Sequence, residues 1–291
     1  MTNGEVIKIV KNYCRDTNEL GKPCNDARDA VLYGEQHLND ECKKIVCCGF
    51  CSIDVVKKAI EAGANLIMCH EGMFYCHGDD TSWQVGYNAT ETKKKLLEDN
   101  HILVWRNWEH LACGIPVGDD YFDGAQYGII KDLGWEKYLR RVDENDHLQN
   151  YLIMLDFGKE KTTRQIANEI VDKLGLNGLR IVGSVDEPVS KAAISRHQIF
   201  GTIDSYVLTH MEEEEIEMVI APELVEYTLC SYVRESTMIG RNRSLINLGN
   251  FNEGEAAMKY APVWMKEAVQ GIETVYIGSG DSVGCYLGGP K

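Results

Sequence analysis

Polar, metal-capable side chains gather at three places in this 291-residue chain, each just after a short apolar run, and at two of them acid and imidazole stand together. His70 and Glu71 follow "NLIMC", Glu109 and His110 follow "ILVWR", and Asn250, Glu253 and Glu255 follow "LINLG". Asp119, Asp120 and Asp123 precede the helical pattern "GAQYGIIKDLG" and could supply a carboxylate at its positive end. A second histidine, His77, stands a little beyond His70. Imidazole and carboxylate with no obligatory thiolate are the donors of zinc, manganese, iron or magnesium centres that activate water. Spacing alone does not define such a centre, because adjacent residues at a strand end point to opposite faces and need partners from elsewhere. Taken singly, each histidine is more often a hydrogen-bonded structural residue than a ligand.

The elements that must position these residues alternate in type. Short apolar, β-branched runs near 44–48, 65–69, 102–105, 151–155, 179–182, 217–220, 244–248 and 274–277 read as strands, with amphipathic helical segments between them. "SIDVVKKAIEAGA" is the firmest helix: Ser52 is its N-cap, Val55, Val56, Ala59 and Ile60 form the apolar stripe, and Gly63 ends it. With its flanking strands it makes a βαβ unit whose second strand ends at His70. In open α/β sheets ligands gather outside the carboxyl ends of the strands, where all three acidic groups stand. The polar stretch "RRVDENDHLQN" marks a domain boundary near residue 143. Periodicity leaves open which sheet takes the two closing strands, "SLINLG" and "TVYIGSG", on either side of a helix at 253–269.

Composition removes whole classes of function. A chain that is 44% hydrophobic and 26% charged, with 27 Gly and 6 Pro, reads as a folded globular protein. Its apolar runs are far shorter than the roughly 20 residues that span a bilayer. The opening "MTNGEVIKIVKNYC" lacks the basic start and apolar core of a secretory signal, so the cytoplasm is the expected location. A formal charge of −15 would repel a phosphate backbone, which argues against direct nucleic-acid contact. The run Glu212 to Glu215 reads as a solvated turn or helix start. Eleven cysteines lie scattered and partly within apolar runs, so reduced thiols are expected. The Cys48-x-x-Cys51 motif lies in "KIVCCGFC", where core packing is the favoured reading over redox or zinc chemistry. No phosphate loop and no G-x-S-x-G elbow occurs. "GSGDSVGCYLGG" reads as a tight turn that could line a pocket.

Several stretches, in order, resemble the Nif-three-like dinuclear-metal proteins, some of which carry the name type-two GTP cyclohydrolase I. "VVKKAIEAGANLIMCHEGMFYCHGDD" is similar to the helix and strand leading into the family's metal-binding histidine, in the branch that reads His-Glu-Pro-x-Phe-Tyr-x-His. "VWRNWEHLACGIPVGDDYFDGAQYGIIKDLGWEKYL" looks like the Arg-x-His-Asp-x-x-His segment and the helix after it. "VIAPELVEYTLCSYVREST" is similar to the Gly-Glu-x-x-Glu-Trp segment, "LINLGNFNEGEAAMKYAPVWM" to the Leu-Gly-His-x-x-Ser-Glu-Glu-x-Gly-Met stretch, and "IGSGDS" to the closing turn.

The resemblance implies two α/β domains, the second inserted within the first: 1–143 with 244–291, and 144–243. It implies a toroidal homohexamer and a divalent metal site built from His70, Glu71, Asp123, Asn250, Glu253 and Glu255, with Glu109 and His110 moving protons. A small nucleotide or related heterocycle is the implied ligand, through a metal-dependent hydrolysis. The chain also departs from the pattern: Gly72 replaces proline, Trp108 stands at a histidine position, Glu109 at an aspartate, Asn250 at a histidine, and Gly254 at one of two glutamates. Asparagine is a far weaker transition-metal ligand than imidazole, and tryptophan cannot ligate. The expected cofactor is therefore zinc, manganese, iron or magnesium, or none. The alternative to catalysis is a ligand-binding or scaffold protein of the same fold.

Overall fold

A computed structural model describes residues 1–18, 21–25, 28–76, 79–140, 151–196 and 201–284, with side chains omitted at 201–204. The chain divides into two compact units, 1–128 with 254–280, and 129–253 with 281–291.

The first unit opens with α1 (Asn3–Tyr13) and continues through β1 (Ala30–Tyr33), β2 (Lys44–Cys48), α2 (Ile53–Glu61) and β3 (Leu66–Cys69). Next come α3 (Asn88–Asp99), β4 (Leu103–Arg106), α4 (Glu109–Cys113), and a hairpin of β5 (Ile115–Val117) with β6 (Asp120–Phe122). The helix α2 begins as its sequence requires, with the Ser52 hydroxyl accepting from Val55 N–H, and its Val55, Val56 and Ala59 are fully buried. They pack with Val46, Ile67, Leu97, Ile102 and Val104 in the first core. Each such buried aliphatic side chain contributes roughly 1.5–3 kcal/mol. The sheet runs β1-β4-β3-β2 and ends on the chain's last strand, β12 (Glu273–Tyr276). All its pairings are parallel except β1 with β4. All four residues of β3 are buried, the mark of a central strand covered on both faces.

The second unit is entered along α5 (Gly124–Leu133), which crosses the division between residues 128 and 129. It holds β7 (Leu152–Thr162), α6 (Thr163–Leu174), β8 (Arg180–Gly183), β9 (Pro188–Ser195), α7 (Gly201–Glu213), β10 (Met218–Ala221), α8 (Ser231–Met238) and β11 (Ser244–Asn247). Its sheet runs β7-β9-β10-β11-β8. The family resemblance implied that both closing strands return to the first domain. β12 pairs with β2 there, whereas β11 pairs in parallel with β10 and antiparallel with β8 in the second. The helix α9 (Asn250–Ala268) then leads from one unit to the other. Pattern reading also missed β1, β9 and the β5–β6 hairpin. β1 is four residues long with no fully buried position, and β9 opens on a proline, so neither carries a strong period-two signal. No helix among the described residues is long and apolar enough to cross a membrane.

Candidate functional site

The carboxyl ends of β3 and β4 lie side by side because the two strands pair in parallel, with Cys69 opposite Arg106. That register sets His70 and Glu71 beside Trp108, Glu109 and His110, so two of the three predicted clusters meet on one sheet. Backbone bonds lock the first: His70 N–H reaches the carbonyls of Cys48 and Gly49 at 3.2 Å, and Glu71 N–H donates to Gly49 O at 2.9 Å. His70 is 4% exposed, and its buried Nδ1 has no hydrogen-bond partner among the described residues. The Trp108 ring stacks against the imidazole, centroids 6.3 Å apart and planes 18° from parallel. The Arg28 guanidinium stands 5.3 Å from the Trp108 centroid. An aromatic ring thus covers His70 where the resemblance implies a metal-binding histidine.

Asp29 organises the second cluster. Its carboxylate is wholly buried and accepts the backbone N–H groups of Trp108 at 2.6 Å, Glu109 at 2.7 Å and His110 at 3.3 Å. It also pairs with His110 Nδ1 at 2.5 Å. Orphan amides at the start of α4 are thereby satisfied. The carboxylate places the imidazole proton on Nδ1, so Nε2 is the nitrogen able to accept a proton. Beside it, Arg106 is 5% exposed and holds Asp79 through two bonds of 2.7 Å, while its Nε donates to Arg28 O at 2.5 Å.

The third cluster divides. Glu255 faces the first unit's closing strand, where its Oε2 accepts the Tyr276 hydroxyl at 2.6 Å. Its Oε1 accepts Ser279 N–H at 3.1 Å and the Ser279 hydroxyl. Gly254 fits against His70: a Cβ there would lie 3.0 Å from the imidazole Cδ2. Asn250 and Glu253, the latter buried, begin α9 within the second unit. Asp123 is buried and caps α5, accepting Ala125 N–H at 2.8 Å and Gln126 N–H at 3.3 Å. His77 lies outside the described residues. Among the described residues no group of three or more His, Cys, Asp or Glu is arranged to hold a metal ion. A cleft of about 110 Å³ opens nearby between β1 and the segment after β3, with Phe74, Cys76 and Asp79 in its wall, and no predicted site residue lines it.

Sequence reasoning missed Asp29, which sits in "NDARDAVLY" without any periodic signal, and it read Tyr276 only as part of the closing strand and Ser279 only as part of a turn that could line a pocket. Three groups nearby are perturbed by burial. It drives the thiols of Cys48 and Cys69 upward, and it draws the Lys93 ammonium below its ordinary range.

The sequence pattern described as Duf34/NIF3 (NGG1p interacting factor 3) matches residues 23–238. A curated relative from Clostridium perfringens (strain 13 / Type A), named GTP cyclohydrolase 1 type 2 homolog, is 26% identical over 168 residues. That match spans 56% of this chain and 58% of the relative, so little more than half of the relative's length is represented. Among solved structures, Staphylococcus aureus protein SA1388 superposes with a TM-score of 0.68 at 14% identity, covering 99% of each chain. A Bacillus cereus protein related to NIF3 gives 0.66 at 12% identity, also covering 99% of both chains. Reduced HcgD from Methanocaldococcus jannaschii gives 0.60 at 15%, covering 95% of this chain and 97% of its own. At these identities the structural likeness speaks for the fold.

Proposed function

The chain belongs to the Duf34/NIF3 (NGG1p interacting factor 3) family, and from that premise we propose that it binds a small heterocyclic ligand of the nucleotide class at the ends of β3 and β4, without the metal centre that the resemblance implies. The nucleotide class is suggested by the GTP in the relative's name. Glu255 carries the reading: Tyr276 and Ser279 engage both its oxygens and hold the carboxylate toward the closing strand, so that a ligating ion would have to compete with three hydrogen bonds. The donor set agrees. Trp108 and Asn250 stand where nitrogen ligands are expected, His110 Nδ1 is held by Asp29, and the Asp123 carboxylate caps a helix. These residues do not fit a dinuclear transition-metal centre. They offer a flat indole face and one unsatisfied imidazole nitrogen, which suit a planar ring with polar edges. Elemental analysis of purified protein, with melting temperatures taken in added manganese or zinc, tests this. The expected result is no stoichiometric metal and an unchanged melting temperature. An ion bound one per chain and lost in His70→Ala would overturn it.

One observation favours chemistry at the same place. The Asp29–His110 pair has the form of a general base, a carboxylate fixing an imidazole so that its far nitrogen can take a proton from water. Hydrolysis of a nucleotide that survives chelator and is lost in His110→Gln, with the fold intact by circular dichroism, would establish it. Activity retained in that variant would end this second reading.

A further inference from the structure

Arg106 ends β4 with a buried guanidinium whose two terminal nitrogens both bind Asp79, at 2.7 Å each. Two parallel bonds of this kind are the way a guanidinium holds any oxyanion, phosphate included. The partners are unequal. The Arg106 side chain is 6% exposed and its Nε donates to Arg28 O, whereas the Asp79 side chain is 36% exposed. A buried charge needs a counter-ion at all times, but a carboxylate already partly in water gives up its place at small cost. Three features surround the pair. First, Asp79 stands in the wall of the cleft of about 110 Å³, with Thr81 on the polar side and Val31, Leu32, Met73 and Phe74 on the apolar side. The oxygens that Arg106 holds therefore border open volume. Second, glycine at 72 leaves one flank of the pair bare: a Cβ there would touch Arg106 Nη1 at 3.5 Å and Asp79 Oδ1 at 3.6 Å. Third, Arg28 links the fork to the ring site. Its carbonyl accepts from Arg106, and its own guanidinium stands 5.3 Å from the centroid of Trp108, the indole that stacks on His70.

We propose that Arg106 is the anchor for a phosphate group, that Asp79 fills its fork when no ligand is bound, and that a phosphate-bearing ligand displaces the Asp79 carboxylate into water. One oxyanion replaces another at the same two nitrogens, so the buried guanidinium is paired before and after the exchange. Asp79 thereby sets a threshold: an anion that offers a single oxygen cannot match the two bonds it would have to replace, whereas phosphate can. The inference rests on the nucleotide reading above and adds the atoms that would receive the phosphate.

The test uses the full chain and inorganic phosphate, with melting temperatures followed at an ionic strength held constant by sodium chloride. The wild type is expected to show a saturable rise in melting temperature as phosphate is added. Asp79→Asn keeps the size of the side chain and removes its charge. It should bind phosphate about tenfold more tightly, the gain expected if Asp79 fills the fork about nine-tenths of the time. Arg106→Lys keeps the charge and loses the fork, so it should bind about tenfold more weakly, the effect of one charge-assisted bond. Where Arg106→Lys fails to fold by circular dichroism, the wild type and Asp79→Asn decide alone. Binding confined to Asp79→Asn, with the wild type indifferent, would mark the pair as structural and overturn the proposal. Equal affinity in the wild type and Asp79→Asn, or wild-type affinity in a folded Arg106→Lys, would do the same. Adenosine, guanosine, cytidine and uridine carry the ring without phosphate and separate the two readings. A nucleoside that changes indole fluorescence in the wild type but not in Trp108→Leu, in a protein indifferent to phosphate, sinks the anchor and leaves the ring site. The expected phosphate results with no nucleoside response uphold the anchor and end the ring site.

Discussion

Gly49 has room for a hydrogen and nothing larger: a Cβ there would lie 2.8 Å from both the backbone nitrogen and Oε1 of Glu255. Backbone cannot swing aside as a long side chain can, so Gly49→Ala should cost about 1–3 kcal/mol through overpacking. A lowered urea midpoint with an unchanged slope checks this, and an unchanged midpoint would mean that the loop yields. The same economy of space appears at Gly254, where the family pattern expects a glutamate but the His70 ring takes the room a side chain would need. At residue scale three carboxylates hold the elements of the candidate site together. Glu255 holds a tyrosine and a serine, Asp29 holds three amides and an imidazole, and Asp123 holds a helix end. Such groups fix geometry well.

At the scale of elements, ion pairs tie helices to the segments beside them. Glu169 on α6 is the clearest case, accepting from Lys161 on β7, from Lys173 on its own helix at 2.8 Å, and from the Trp135 indole at 3.1 Å. Burial by itself would raise this carboxyl, but the three donors outweigh it and hold the group down from 4.5 to about 2. A depressed carboxyl contributes stability that is fully present above its unfolded value and is lost as pH falls toward the folded one. Glu169→Gln should therefore lower the melting temperature at neutral pH, and the gap to wild type should close between pH 4.5 and about 2. Thermal unfolding followed by circular dichroism across that range reads the result, and a gap independent of pH would refute the linkage. The elements of the candidate site depend on sheet pairing instead, since β3 and β4 carry His70 and Trp108 to the same edge only because they run parallel in register.

Over the whole molecule, each unit has its own five-stranded sheet and its own core, and the charge of −15 is spread through both. The sequence by itself determined the alternation of strands and helices, the cap and apolar stripe of α2, and the place of His70 and Glu71 at the mouth of a buried strand. Those features rest on periods of two and 3.6 residues and on adjacent caps, which are local and can be read along the chain. Most of the eight predicted strands fall within a residue or two of the observed ones, and only β7 runs much longer. The family was legible too, because its motifs are short and kept in order. Only the tertiary structure decided that β11 joins the second sheet, since a four-residue buried strand fits either and its neighbours are chosen by the faces they cover. It alone decided that Asp29 serves His110 across 81 positions and that Tyr276 and Ser279 occupy Glu255 across more than twenty. Contacts at such separations leave no period in a sequence. They come from the packing of surfaces, which here gives Glu255, Asp123 and His110 their hydrogen-bond partners.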